Sequence, residues 1–223
     1  MLIEKTDYYE KQKTLRSILR SPSKFDEAMH LVLSQHDMLH FSTNPDIPLY
    51  CDILWSNVSD TAFRTMPTKK DETIAWHIWH ITRIEDLVSN LLISNQAPIL
   101  DDSWLEVLNI TTKDTGNAMN DDEILFLSTN INKEALKSYR QAVSNRTRSI
   151  IKKLTVDDIK QKPTKQQLDQ LVETGGLLPH KKSVWLKEFW GNKTIAGLLL
   201  LPITRHHYMH LKQCKELLEK QIK

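Results

Sequence analysis

Apolar positions recur at intervals of three and four along four stretches of this chain, the spacing that lines up one face of an α-helix. In the first stretch Phe25, Met29, Val32, His36 and Leu39 share a face, and Ser23 followed by Asp26 approximates a capping box. The second follows Thr73, a residue suited to an N-cap. Ile74, Ile78 and Ile81 mark one of its faces, while Trp76, Trp79, His80, Ile84 and Leu87 make another side apolar too. Apolar residues on so many sides predict a central helix with neighbours on more than one flank. The third stretch carries Ala135, Tyr139, Ala142, Val143, Ile150 and Leu154 against a largely charged remainder and reads as an outer helix. The fourth starts near Asn192 or Thr194 and runs through Ile195, Leu199, Pro202, His206, Met209 or His210, Gln213 and Leu217. The predicted helices cover about 23–43, 73–95, 132–154 and 193–220, with no convincing strand alternation between them. The expected class is all-α, a helical bundle.

The connections are unequal. Residues 44–72 hold Pro45, Pro48, Trp55, Phe63 and Pro67, with a short helix expected over "SDTAFRTM". Residues 96–131 are polar and turn-like around a short "SWLEVL" piece. Residues 155–191 open on a second box, Thr155 to Asp158, and form an excursion expected to pack Trp185, Phe189 and Trp190 against the bundle. Connections this long often cover a functional end. Neither a repeat nor a clear interdomain linker interrupts the pattern, so a single domain over residues 1–223 is expected.

Composition narrows the picture. Only five glycines in 223 residues weigh against a turn-rich β architecture. A formal charge of +2 offers no basic footprint, so no nucleic-acid partner is expected. Cys51 and Cys214 are the only cysteines, and no disulfide framework can be read from them. The first residues lack the apolar core of a secretory signal, and "IAGLLLLPI" is far too short for a membrane span. A cytoplasmic protein without a membrane partner is the expectation.

Candidate chemistry lies in "RHHYMHLKQ", residues 205–213. His206 and His210 are one helical turn apart and continue the apolar stripe of the fourth helix. Two imidazoles buried side by side need partners, and a divalent metal is one, since neutral imidazole is its common nitrogen ligand. Taken alone, an HxxxH pair is more readily a solvated helix end. A third ligand must come from elsewhere, and His77, His80, His36 and His40 all remain open on periodicity. Three histidines with one open position suit Zn²⁺ or Ni²⁺. Pro202 cannot donate to the carbonyl of Leu198, which predicts a kink or loosened turn just before the pair. Glu85 and Asp86 are candidates for orienting a ligand or acting as a base, against a preferred reading as a solvated helix face. Arg83 and Arg205 are candidate receivers of an anionic carboxylate, against a surface reading.

"TIAWHIWHITRIED", followed after a long middle region by "GNKTIAGLLLLPITRHHYMHLKQ", resembles the DinB/YfiT-like superfamily. The resemblance implies a four-helix bundle of antiparallel up-down-down-up type, here with long inter-helix excursions. It implies one metal-binding histidine seven residues after the Ser or Thr that starts the second helix, and two more, four apart, in the fourth. Those positions are His80, after Thr73, together with His206 and His210, and Gln213 fills the Gln position three residues further on. Lys212 stands where many members have Gly. His36, His77 and Glu85 are assigned, with Gln213, to the surroundings of the site or its pocket. His207 is rotated off the pair and is expected to pack or hydrogen-bond. Relatives include metal-dependent thiol transferases and a thiol-dependent isomerase. The resemblance therefore implies a thiol S-transferase with a small-molecule thiol or electrophile as substrate, and a homodimer. A metal-dependent hydrolase and a non-catalytic binding or stress-response protein are the alternatives, and no catalytic residue is assigned.

Overall fold

Side-chain caps start most of the long helices in the computed structural model, which describes residues 5–44 and 46–221. In chain order the helices are α1 (Lys5–Ile18), α2 (Phe25–Met38), α3 (Tyr50–Asn57), α4 (Asp60–Arg64), α5 (Ile74–Asp86), α6 (Asp102–Leu108), α7 (Asp121–Asn130) and α8 (Lys133–Ile151). They continue with α9 (Lys165–Glu173), α10 (Lys181–Gly191), α11 (Ile195–Leu200) and α12 (His206–Gln221). No strand occurs among the described residues. Thr73 Oγ1 accepts from the Trp76 amide to start α5, Asn132 accepts from Glu134 and Ala135 to start α8, and Thr194 accepts from Gly197 to start α11.

Four segments close a ring of contacts. Helix α5 packs on α8 and α12, α8 packs on α2, and α2 packs on the turn that joins α11 to α12. These correspond to the four stretches read from periodicity. The central helix is α5, every residue of which is buried. The first predicted helix ends five residues early, at Met38, because the carbonyl of Leu39 is taken by the Arg140 guanidinium and the Cys51 thiol. Ser23 forms no capping box; it lies in a 3-10 turn, Pro22–Lys24, and α2 begins at Phe25 without a side-chain cap. The Thr155–Asp158 box does form. Helix α1 was not legible in the periodicity, yet it packs on α2 and α11, with Leu15 and Ile18 in the apolar core and Tyr8 stacked on Tyr208 of α12. The long connections carry α3, α4, α6, α7, α9 and α10, and Pro45 lies outside the described residues.

Pro202 loosens its helix as expected. Residues Leu201–Arg205 form a π turn, and the Thr204 hydroxyl donates back to the Leu199 and Leu200 carbonyls. A second π turn, Leu87–Ile93, prolongs α5. Two apolar clusters meet along these rods. On α5 one cluster ends at Ile81 and the other starts at Ile84; on the fourth rod the change falls between Ile203 and Tyr208. At that seam sit His80, Thr82, Arg83, Glu85, Asp86, His206 and His207. Polar chemistry is thus held in a belt between two cores, where each group must find a protein partner. Asp86 shows how: its buried carboxylate accepts from Arg83, Asn90, Tyr139 and the amides of Ile99 and Leu100. Among the described residues no helix is long and apolar enough to cross a membrane.

Candidate metal centre

Helices α5 and α12 bring His80, His206 and His210 together, with one potential ligand atom from each lying within 4.8 Å of the others. His206 Nε2 and His210 Nε2 approach to 3.1 Å. In a tetrahedral site built on Zn–N bonds of about 2.05 Å, ligand nitrogens stand about 3.3 Å apart. The pair is therefore already close to the edge such a site requires.

The tautomer of His80 is set from a loop. Its Nδ1–H donates to the Thr115 carbonyl at 2.7 Å, which leaves Nε2 bare. That carbonyl is one of four in succession that α5 grips. Arg83 donates to the carbonyl of Lys113, Trp79 to that of Asp114, His80 to that of Thr115 and Trp76 to that of Gly116. The donors are spaced at 76, 79, 80 and 83, one stripe of the helix. Gly116 turns the loop with φ of +76°, and a Cβ there would stand 2.7 Å from Trp76 Nε1. Thr115 is a contact of His80 that sequence reasoning missed; only the turn-like "KDTGN" marked its loop.

His77 supports the other side of the site. Its Nδ1 lies 2.8 Å from His210 Nδ1, and its Nε2 lies 3.7 Å from Glu72. If His210 offers Nε2 to an ion, its Nδ1–H donates to His77. Burial and the neighbouring His80 push the His77 imidazolium down to about 3, and burial pushes His80 down to about 4. Burial and the adjacent imidazoles hold His206 and His210 well below the ordinary range as well. All four rings are neutral at pH 7, the state in which imidazole is a ligand. His206 Nδ1 is buried without a hydrogen-bond partner.

A second group, His36, His40 and Glu85, also has a metal-compatible composition. Its hydrogen bonds have the opposite polarity. Arg140 Nη2 lies 3.4 Å from His40 Nδ1 and 3.3 Å from His207 Nδ1, and a guanidinium can only donate. Those Nδ1 atoms are therefore acceptors, and the Nε2 atoms carry the protons. His40 Nε2–H donates to Glu85 Oε2 at 2.9 Å, and His207 Nε2 points at the same oxygen from 3.4 Å. His36 Nε2 lies 2.7 Å from Glu85 Oε1; burial pulls its pKa down, but Glu85 and Asp37 outweigh this and raise it. Protons occupy the places where an ion would need lone pairs. This cluster is a buried charge network around Glu85 and Arg140, both fully buried.

The solvated face expected for Glu85 and Asp86 is thus overturned: both are fully buried, because each has charged partners at hand. Arg83 is likewise buried and not a surface residue, held by Asp86 and the Lys113 carbonyl. Arg205 is exposed. Of the residues assigned to the surroundings, His77 touches the triad, His36 and Glu85 touch each other one step removed, and Gln213 is exposed on α12. His207 is buried against Arg140.

Compared with known families, the sequence model of the DinB superfamily matches residues 51–214. That span holds His80, His206 and His210, together with Thr73, His77 and Thr115; His36 and His40 precede it. No curated protein matches the chain significantly.

Proposed function

Since the chain belongs to the DinB superfamily, we propose that it is a metal-dependent enzyme in which His80, His206 and His210 hold one divalent ion, Zn²⁺ or Ni²⁺, and that it transfers a small thiol to an electrophile. The observation that carries this reading is the Nδ1–H of His80 donating to the Thr115 carbonyl, beside an Nε2 pair 3.1 Å apart. An ion held by three neutral imidazoles keeps its full positive charge, lowers the pKa of a thiol that reaches it and favours thiolate at neutral pH. The chain's own residues prepare that event. Thr115 keeps His80 in its ligand tautomer, His77 orients the His210 ring, and Trp76 stacks on His80 with ring centroids 4.6 Å apart, excluding water from that side.

Transfer is favoured over hydrolysis by the acids around the site. No carboxylate lines the cleft that opens at His206, and Glu85 is committed to His36 and His40. The ion would lower the pKa of bound water as well as of a thiol, but hydrolysis further needs an acid to protonate its leaving group, and none lines the cleft. In the transfer the sulfur–carbon bond forms as the electrophile's carbon releases its leaving group, and the thiol proton passes to solvent. The same reading includes a single domain over residues 1–223 in the up-down-down-up order, a cytoplasmic location and a two-fold dimer.

The test is thiol consumption. Zinc- or nickel-loaded protein, incubated with small thiols paired with uncharged electrophiles, is expected to consume at least one pair far faster than His206→Ala/His210→Ala protein does. If no thiol is consumed by the loaded protein, the transferase reading fails.

A further inference from the structure

Beside His206 a cleft of about 190 Å³ opens between α10 and the π turn of the fourth rod. Trp185, Phe189 and Trp190 make one wall, and Leu201, Pro202 and Met209 face them. Its floor is dry, with Trp190 2% and Ile84 3% exposed, while Trp185 and Met209 at the rim are about half exposed. Trp185 is held in orientation by a bond from Nε1 to the Lys182 carbonyl. Only two lining residues are polar, Asn117 and His206. None is charged. Lys193 is not part of the lining; its ammonium sits over the Phe189 ring, 4.0 Å from the centroid.

We propose that this cleft binds the uncharged apolar body of the electrophile, an aromatic ring or a branched alkyl group, and so sets which acceptor reaches the triad. The assignment as acceptor pocket rests on the transferase reading above; the preference for neutral apolar ligands rests on the walls alone. Size supports one ring, since an apolar protein cavity of about 150 Å³ takes up benzene. Charge decides the class. The lining itself offers a carboxylate no cation in exchange for its hydration, which is costly. The anionic end of a thiol cosubstrate therefore has no place in this cleft, and the neutral acceptor does. The aromatic wall adds ring–ring contacts to the burial of apolar area.

Metal-free protein tests the cleft independently of the triad. Tryptophan replaced by 5-fluorotryptophan gives six ¹⁹F reporters, of which Trp185 and Trp190 are assigned through Trp185→Phe and Trp190→Phe. Titration with benzyl alcohol is expected to shift those two signals saturably, with benzoate bound at least tenfold more weakly. Met209→Arg places a cation at the half-exposed rim and is expected to bring benzoate to parity with benzyl alcohol or beyond. The proposal is overturned if neither Trp185 nor Trp190 responds to benzyl alcohol, or if the wild-type protein binds benzoate as tightly. Failure here leaves metal binding by the triad untouched, and a triad that binds no ion leaves this titration interpretable.

Discussion

Replacing Glu85 with Gln separates a charge network from a second metal site. The carboxylate takes His36 at 2.7 Å and His40 at 2.9 Å, and His40 links it to the buried Arg140 guanidinium. An amide there keeps one acceptor but turns an NH₂ group toward imidazole N–H donors. It also removes the negative charge that Arg140 reaches through His40. Breaking a buried ionic arrangement from one side costs about 3–5 kcal/mol. For a chain of this size each kcal/mol moves Tm by roughly 2–4 °C, so a fall of about 6–20 °C is expected. Urea denaturation of the metal-free protein at pH 7.5 measures the cost directly. Arg140→Met alone is also expected to destabilise, and the double variant should fall about 2 kcal/mol short of the sum, as neighbours in one network do. Metal content of Glu85→Gln protein should equal that of the wild type. A cost below about 1 kcal/mol, or the loss of a bound ion with stability unchanged, would refute the network and favour a metal at His36, His40 and Glu85.

Three further outcomes follow from named contacts. His77→Phe removes the acceptor for His210 Nδ1–H and is expected to weaken zinc binding about 10- to 100-fold in a chelator competition, with Tm of the metal-free protein changed little. Gly116→Ala adds a Cβ 2.7 Å from Trp76 Nε1 at a φ of +76°; it should lower stability by about 1–2 kcal/mol in urea and weaken zinc binding as the Thr115 carbonyl shifts. His36→Ala tests linkage. Because the folded pKa of His36 is raised, its ionic contribution is complete below the unfolded value near 6.5 and is lost as pH rises through the folded value. The destabilisation caused by His36→Ala, read by urea titration, should therefore be larger at pH 6 than at pH 9; an equal cost at both would mean that the ring is never charged.

The four main helices were legible because their apolar stripes repeat at helical spacing and because Thr73 and Thr194 are competent caps. Helix α1 escaped notice because its buried face is only Tyr8, Gln12, Leu15 and Ile18 among Glu10, Lys11, Lys13, Thr14, Arg16 and Ser17. Its Gln12 bonds Gln35 and Thr204, contacts that no local pattern contains. The triad's spacing was visible, but periodicity could not separate His77 from His80. What separates them in space is the loop at Thr115, thirty-five residues from His80, whose carbonyl fixes one ring while His210 takes the other. Charged residues were read outward by default; Arg83, Glu85, Asp86 and Arg140 are buried because they arrive in mutually compensating sets, and such sets form only when distant segments meet. The polarity of the second cluster is likewise a tertiary property, since it depends on Arg140 reaching two imidazoles from α8.

Metal stoichiometry of tag-free protein, reconstituted with zinc and then freed of excess ion, tests the central claim most directly. About one ion per chain is expected for the wild type and for His36→Ala/His40→Ala, and almost none for His206→Ala/His210→Ala. Less than about half an ion per wild-type chain, or a full ion retained without His206 and His210, would contradict the triad.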